Sequence, residues 1–303
     1  ALPILMGMDH DYIVVGAGSA GAVVAHRLSA DPRNKVLLLE AGRESHPWSW
    51  LPVGSARLIA NPEANWLYAS EPEPSTKGRR IPVPRGKLLG GSSAINGMAF
   101  VRGQAQDFDT WAQMGNTGWS YREVLPFFKR IESYQGGGED EYRGRDGPLT
   151  VTDPQPSEPI FRALIAAAGE VGIRHNPDYN GATQDGIVMS QASIAGGRRQ
   201  STARAYLDKA RGRANLTIET DATADVLTFD GRRCTGVVYT QRGKKKEARA
   251  AKDTIVCGGT GNRPEVRNAR TAQSSSSGEP LGVTMRIVAG VPSAFTSASA
   301  TVV

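Results

Sequence analysis

Gly16, Gly18 and Gly21 stand in the run Asp11-Tyr12-Ile13-Val14-Val15-Gly16-Ala17-Gly18-Ser19-Ala20-Gly21 with the spacing G-x-G-x-x-G. That spacing can hold a diphosphate. Gly16 permits a tight turn, Gly18 lets the backbone approach the pyrophosphate, and Gly21 lets a helix pack closely on the strand before it. The N–H groups of Ser19 and Ala20 open that helix, where free donors and a partial positive charge face an anion. A second apolar run, Val36 to Leu39, ends in Glu40-Ala41, and Glu40 lies 19 residues after Gly21. A carboxylate at the end of that strand can accept hydrogen bonds from ribose hydroxyls. Strand, turn, helix, strand and acid together predict a dinucleotide site. A glycine-rich turn that serves only packing is the alternative.

A second cluster follows: Pro84-Arg85-Gly86-Lys87-Leu88-Leu89-Gly90-Gly91-Ser92-Ser93-Ala94-Ile95-Asn96-Gly97-Met98. Gly90 and Gly91 offer a backbone that a planar ring can approach. Ser92, Ser93 and Asn96 add hydroxyl and amide groups. A nicotinamide dehydrogenase does not need this second cluster, whereas a larger, tightly held flavin does. A flavin is therefore the expected cofactor, with a nicotinamide-dependent dehydrogenase as a competing reading.

The elements that must position these residues follow from periodicity. Residues 9–42 read as a βαβ unit. Residues 43–84 are irregular, with Trp48, Trp50 and Trp66, and serve either as a cofactor cover or as core packing. Residues 107–134 read as helical, with a capped start at Ser120. Gly136 to Gly147 reads as a surface loop and Pro148 to Val151 as a strand opening a new region. Residues 158–172 predict an alanine-rich helix with Ala163, Leu164, Ala166, Ala167 and Val171 on its apolar side, and Thr202 to Ala210 a short helix. Residues 216–240 alternate like antiparallel strands around Asp230-Gly231, and Lys252 to Cys257 reads as a last buried strand closing in Gly258-Gly259.

The chain has 303 residues, 39% of them hydrophobic, with a formal charge of +6. That length supports one large or two ordinary domains. The basic residues are dispersed except for Arg242 to Lys246, which reads as a solvated hairpin tip, so no nucleic-acid partner is expected. Cys234 and Cys257 sit in or beside apolar strands and read as buried free thiols, not as a disulfide framework, and no metal site is expected. No apolar run reaches 18 residues, and Ala1 to Met8 is too short to target or span. The expected location is the cytoplasm or the periphery of the inner membrane face.

In these motifs the chain resembles the glucose–methanol–choline (GMC) oxidoreductases, which use FAD. Gly86 to Asp109 matches the family's first signature, including Asn96, Phe100, Gly103 and Asp109. Asn65 to Tyr68, Gly118 to Tyr121, Asp146 to Leu149 and Ser201 to Leu207 match as well. The resemblance covers about residues 8–259, and choline dehydrogenase-like and alcohol dehydrogenase-like members are the most similar. It implies a Rossmann-like parallel sheet binding the ADP half of FAD, and an incomplete antiparallel-sheet substrate domain. It places the flavin beside Gly90, Gly91 and Ser92, with contacts from Asn96, Gly97, Met98 and Ala99. The adenine passes near Ala224, and Ala41, Leu88 and Gly258 complete the expected cofactor set. The implied activity is oxidation of an alcohol, choline-like or aliphatic, to an aldehyde by hydride transfer to flavin N5. A quinone, a respiratory carrier or oxygen then takes the electrons. Some members attach FAD through a histidine at the position of Ile95, so non-covalent FAD is expected here.

After Gly259 the likeness fails. Asn262 and Pro264 keep their places, but Arg267, Asn268 and Arg270 fall where an apolar helix face belongs, and Ser274 to Ser277 is low-complexity. A reading-frame disturbance with a premature end is the expectation, and genuine divergence the alternative. The family's catalytic histidine is expected beyond residue 303. None of His10, His26, His46 and His175 matches its position, so the chain alone is expected to lack turnover, and a non-catalytic nucleotide-binding remnant is the second reading. The expected divisions are 8–147 for the first part of the FAD-binding domain, 148–215 for the partial substrate domain, 216–259 for the return, and 260–303 for a poorly ordered tail.

Overall fold

The computed structural model describes residues 10–154, 158–259 and, for the backbone alone, 265–268. The chain divides into two compact units, one reaching to Asn96 and resuming at Ser201, the other spanning Gly97–Gln200.

In the first unit, β1 (His10–Val15) runs into α1 (Ser19–Leu28) and then β2 (Val36–Leu39). β1 and β2 pair in parallel, Tyr12 opposite Val36 and Val15 opposite Leu39. Both strands are apolar at successive positions because both sheet faces are covered. Ile13, Val15, Leu37 and Leu39 point into one cluster with Leu227, Phe229, Val237 and Tyr239. Val14, Val36 and Leu38 point into the other, against Ala22 and Ala25 of α1 and Ala203, Leu207 and Ala210.

The irregular stretch contains short 3-10 turns at 47–50 and 52–54, α2 (Ser55–Leu58), and the two-stranded pair β3 (Tyr68–Ala69) and β4 (Pro82–Val83). Trp48 packs against the Leu58, Ala64, Leu88 and Ile95 cluster, Trp66 stacks on Tyr68, and Trp50 is exposed.

The second unit holds α3 (Ala105–Gln113), α4 (Tyr121–Ile131), β5 (Glu132–Tyr134), β6 (Leu149–Val151), α5 (Pro159–Glu170), β7 (Ile194–Ala195) and β8 (Arg198–Arg199). The stretch 107–134 expected as helical, with a helix start at Ser120, is two helices followed by a strand from Glu132. Gly115 and Gly118, both with positive φ, break it. Ser120 starts the second helix as expected, its N–H donating to Glu123 Oε2 at 3.1 Å in a capping box.

The expected apolar side of α5 is not the packed one. Ala163, Leu164, Ala166, Ala167 and Val171 are exposed, and the face turned inward is Phe161, Ile165 and Ala168, at i, i+4 and i+7.

The first unit resumes with the Ala203–Leu207 turn, β9 (Leu216–Glu219), β10 (Ala222–Asp230), β11 (Arg233–Gln241), β12 (Lys244–Val256) and β13 (Glu265–Asn268). One seven-stranded sheet results, in the order β13-β10-β11-β12-β1-β2-β9. β9, β2, β1 and the end of β12 run parallel, while β10, β11 and the start of β12 form an antiparallel meander. So residues 216–219 belong to the parallel layer, and the expected alternation begins at Ala222. Arg242 to Lys246 is a hairpin tip, with Arg242 and Gly243 at positive φ and Gln241 opposite Lys244. Residues 265–268, expected in a poorly ordered tail, form a strand parallel to β10. The remainder of 260–303 lies outside the described residues.

The unit boundaries differ from the expected divisions at 147/148 and 215/216 for two reasons. β5 pairs with β6, so the glycine-rich loop between them is internal to the second unit. Ala203, Leu207 and Ala210 pack against α1, so the 201–215 segment stays with the first.

The second unit is organised by a buried ionic cluster. Arg143 bonds Glu132 through Nε at 2.9 Å and Nη2 at 3.1 Å, and bonds Asp178 through Nη1 at 2.6 Å. Arg102 Nη2 adds a second cation on Glu132 at 2.6 Å. Removing one partner leaves uncompensated buried charge, which costs about 3–5 kcal/mol. Arg143→Met should therefore destabilise the second unit by about that amount, read as a lowered urea midpoint and early proteolysis within residues 97–200.

Candidate functional site

The first unit brings the two glycine clusters into contact. Gly90 N–H donates to Ala17 C=O at 2.8 Å. Gly91 has φ +52°, and a Cβ there would stand 2.7 Å from Gly18 Cα, so glycine is required twice over. The two loops therefore meet backbone to backbone.

Around them the three fingerprint glycines differ in kind. A Cβ on Gly21 would lie 1.8 Å from Gly16 C=O, and one on Gly16 2.7 Å from Cys257 C=O. These two positions are closed by packing. A Cβ on Gly18 would meet only Gly91 Cα, at 3.9 Å, and Gly18 has an ordinary negative φ of −72°. Space thus opens over Gly18 alone, where the diphosphate reading needs it.

Gly18 is also the N-cap of α1, with no side-chain cap and no acidic residue in the first turn. Among the described residues no side-chain cap and no first-turn acid meets the leading donors and positive pole of this ten-residue helix, and Ser19 is exposed there. The cradle over Gly18 and a helix terminus with no acidic residue in its first turn fit the diphosphate of a dinucleotide.

Glu40 is buried beneath the loop. Its Oε2 accepts Ala17 N–H at 2.9 Å and its Oε1 accepts Gly42 N–H at 2.9 Å. Burial pushes its carboxyl up to about 7, against the lowering effect of those two bonds and of Lys87. The acid expected to meet a ribose therefore also ties the end of β2 to the glycine loop.

The second loop is held from behind. Ser92 Oγ accepts Gly86 N–H at 3.1 Å. Ser93 Oγ donates to Gly90 C=O at 2.6 Å and accepts Thr202 N–H at 3.0 Å. Leu88 and Ile95 are buried in the Leu58 cluster, and Asn96 is exposed with its C=O accepting Ser55 Oγ–H at 2.7 Å. Ile95 thus fills a hydrophobic core position and carries no nucleophile.

Other expected site residues are distributed as follows. Ala20 is half-buried at the start of α1, and Ala41 follows Glu40. Gly258 approaches Gly16, whose Cβ would meet Gly258 Cα at 3.0 Å. Ala224 lies on β10 opposite Tyr239 and packs on the core. Gly97, Met98 and Ala99 belong to the second unit, where Met98 has φ +65° and Ala99 bridges Ala192.

The four histidines have other employments. His10 is the buried first residue of β1. His26 Nδ1 lies 3.1 Å from Tyr206 C=O, and burial pushes its pKa down to about 4. His46 Nδ1 accepts Trp48 N–H at 3.2 Å as the cap of a 3-10 turn. His175, in the second unit, is exposed and bridges Ile187. Cys257 is buried, with its thiol pushed up to about 12 by burial, which leaves it inert beside the first loop. Among the described residues no group of three metal-ligating side chains occurs, and no helix is long and apolar enough to cross a membrane.

Sequence reasoning missed Gly42 and Thr202. A Cβ on Gly42 would stand 1.9 Å from Lys87 C=O, so this glycine lets the start of the second cluster lie against the end of β2. Its only sequence signal is its place two residues after Glu40. Thr202 lies in the Ser201 to Leu207 stretch that resembles the family, but its role was hidden because its partner Ser93 is 109 residues away.

A family model described as GMC oxidoreductase matches residues 10–271, past the point at which the likeness was expected to fail. An oxygen-dependent choline dehydrogenase of Rhizobium etli is 42% identical over 260 residues, covering 86% of this chain and 47% of the relative. The crystal structure of a pyridoxine 4-oxidase from Mesorbium loti superposes with a TM-score of 0.78 at 36% identity, over 82% of this chain and 49% of that one. An FAD-dependent oxidoreductase from Chaetomium thermophilum gives a TM-score of 0.75 at 26% identity, over 82% and 45%. The chain spans about half the length of the curated relatives it matches.

The glycine geometry separates folding from binding. Gly18→Val should keep the fold, because its Cβ has room, and should lose FAD retention. Gly21→Val should fail to fold, because its Cβ meets Gly16 C=O. Circular dichroism and flavin absorbance on the two purified variants distinguish these outcomes.

Proposed function

The chain belongs to the GMC oxidoreductase family, and from that premise we propose that it forms the FAD-binding part of an FAD-dependent alcohol dehydrogenase. The observation that carries this reading is the contact of Gly91 with Gly18, which joins a diphosphate cradle to a second loop fit for a flavin ring. Gly16, Gly18, Ser19, Ala20, Gly21, Glu40 and Ala41 would hold the ADP half, with Ala224 and Gly258 alongside. Leu88, Gly90, Gly91, Ser92, Asn96, Gly97, Met98 and Ala99 would lie nearer the flavin.

Bound there, FAD supplies a two-electron acceptor for the hydride of an alcohol C–H bond. This chain's own contributions are binding and positioning. The open terminus of α1 would receive the diphosphate, Glu40 would fix the loop and the ribose, and Ser93 with Thr202 would hold the second loop at its height. The R. etli relative is an oxygen-dependent choline dehydrogenase, so a choline-like primary alcohol and oxygen are the favoured substrate and acceptor. Aliphatic alcohols, and quinones or respiratory carriers, are the alternatives. Contact with the periphery of a membrane is compatible with the sequence pI of about 9.4.

The chain by itself should bind FAD without turning over an alcohol. General-base work needs a group within hydrogen-bond reach of the substrate hydroxyl. His26 is held neutral against Tyr206, and His46 caps a turn. The binding should also be non-covalent, because the Ile95 side chain cannot form a link.

Purified chain should show a flavin spectrum, and acid precipitation should release that flavin into the supernatant. Anaerobic addition of choline should leave the spectrum unbleached. An absent flavin spectrum defeats the cofactor reading. Flavin in the acid pellet defeats the non-covalent reading, and bleaching by choline defeats the absence of turnover.

A further inference from the structure

The second glycine loop is held at both ends by residues from outside it. At its start, Gly90 C=O accepts Ser93 N–H at 3.1 Å and Ser93 Oγ–H at 2.6 Å, and Ser93 Oγ accepts Thr202 N–H at 3.0 Å. At its end, Asn96 C=O accepts Ser55 Oγ–H at 2.7 Å, across 41 residues. The first hold lies where Gly91 meets Gly18, at the diphosphate cradle. The second lies further along the loop, at the exposed Asn96.

Ser55 opens α2, and α2 is fixed at two points. Leu58, at its other end, is fully buried with Leu88, Ala94 and Ile95, so the helix is seated on the segment whose last peptide Ser55 bonds. Gly54, just before it, is buried where a Cβ would stand 1.9 Å from Trp48 C=O. The Ser55 hydroxyl has a second acceptor in Pro52 C=O at 3.2 Å, and the bond to Asn96 is the shorter. A serine bonded to Pro52 alone would serve only its own turn. The bond to Asn96 joins two segments that already share a hydrophobic cluster.

Asn96 N–H donates to Ser92 C=O at 2.9 Å, which closes the last turn of the loop. Released from Ser55, the Asn96 C=O would exchange its partner for water, because the residue is exposed. The fold loses little by that exchange. What it loses is an Asn96 peptide already fixed before a ligand arrives. A ligand that rests on a loosened peptide must order it on binding, and that ordering is subtracted from the affinity. The loss falls on the part of a ligand that reaches beyond the cradle, since the start of the loop keeps its own hold through Ser93 and Thr202.

Resting on the flavin-site reading above, we propose that Ser55 is a positioning residue of the flavin side. Its hydroxyl fixes the Asn96 peptide in advance, so α2 acts as a scaffold for the isoalloxazine end of FAD and leaves the ADP end untouched. The irregular stretch that carries α2 therefore does more than cover or pack.

The test compares FAD with ADP, which fills the cradle but lacks the flavin, on the full chain stripped of flavin. FAD binding is read by flavin fluorescence and ADP binding by calorimetry. Ser55→Ala should weaken FAD binding by about fivefold, the lower end of the cost of fixing one backbone residue again, with ADP affinity unchanged. Ser55→Thr, which keeps the hydroxyl, should restore FAD affinity. Ser93→Ala, at the other end of the loop, should weaken FAD and ADP together. Equal loss of FAD and ADP in Ser55→Ala marks a merely structural role and overturns the proposal. So does an unchanged FAD affinity, or a Ser55→Thr variant no better than Ser55→Ala. Each of these leaves the flavin site standing, whereas a wild-type chain that fails to bind FAD overturns both. Should Ser55→Ala not fold, Ser55→Cys, close in size and a feeble donor, takes its place with the same expected split.

Discussion

The backbone approach of Gly18 and Gly91 is the constraint on which the rest of the first unit depends. No side chain intervenes, so two loops distant in sequence share one surface. The approach needs glycine at 91, because a Cβ there would meet Gly18 Cα at 2.7 Å. It needs a support behind the second loop, which Ser93 and Thr202 provide. It needs the end of β2 to sit close beneath, which Gly42 permits against Lys87. Two of these requirements are steric and one is a hydrogen bond across 109 residues, and together they hold the two loops against each other.

The sheet serves this arrangement. β12 is shared, its first half completing an antiparallel meander and its second half lying parallel to β1. It therefore sets the carboxyl ends of the parallel strands, where ligands of such sheets bind. Burial on both faces makes β1 and β2 continuous apolar runs, and the meander and α1 supply the two covers. The buried Glu40 is the exception in this apolar surround. Its cost is offset by two backbone donors, the N–H groups of Ala17 and Gly42.

The second unit is held by a different principle. Its Arg102, Glu132, Arg143 and Asp178 cluster ties together three stretches of the chain, around 102, 132–143 and 178. Such clusters give less net stability than apolar packing, but removing one member is severe. The alignment with the R. etli relative covers 47% of that protein. Exposed apolar residues on α5, among them Ile160 and Leu164, belong to a face that the described residues leave uncovered.

Much of the first unit was legible in the sequence because its determinants are local. The apolar run into G-x-G-x-x-G, the acid after the second strand and the Ser120 capping box each act within a few residues or over one βαβ unit. The Asp230-Gly231 hairpin and the Arg242 tip were legible for the same reason. The family resemblance followed from contiguous motifs. Other features depend on partners remote in the chain, and only the tertiary structure decided them. Which glycines are closed by packing and which one is open rests on Cys257, Gly16 and Gly91 as neighbours. The 147/148 division failed to mark a compact unit because β5 and β6 pair across it. The inward face of α5 is Phe161, Ile165 and Ala168 because packing selects among several apolar stripes on an alanine-rich helix. The state of Glu40 depends on burial beneath a loop, and burial is a property that no stretch of sequence carries by itself.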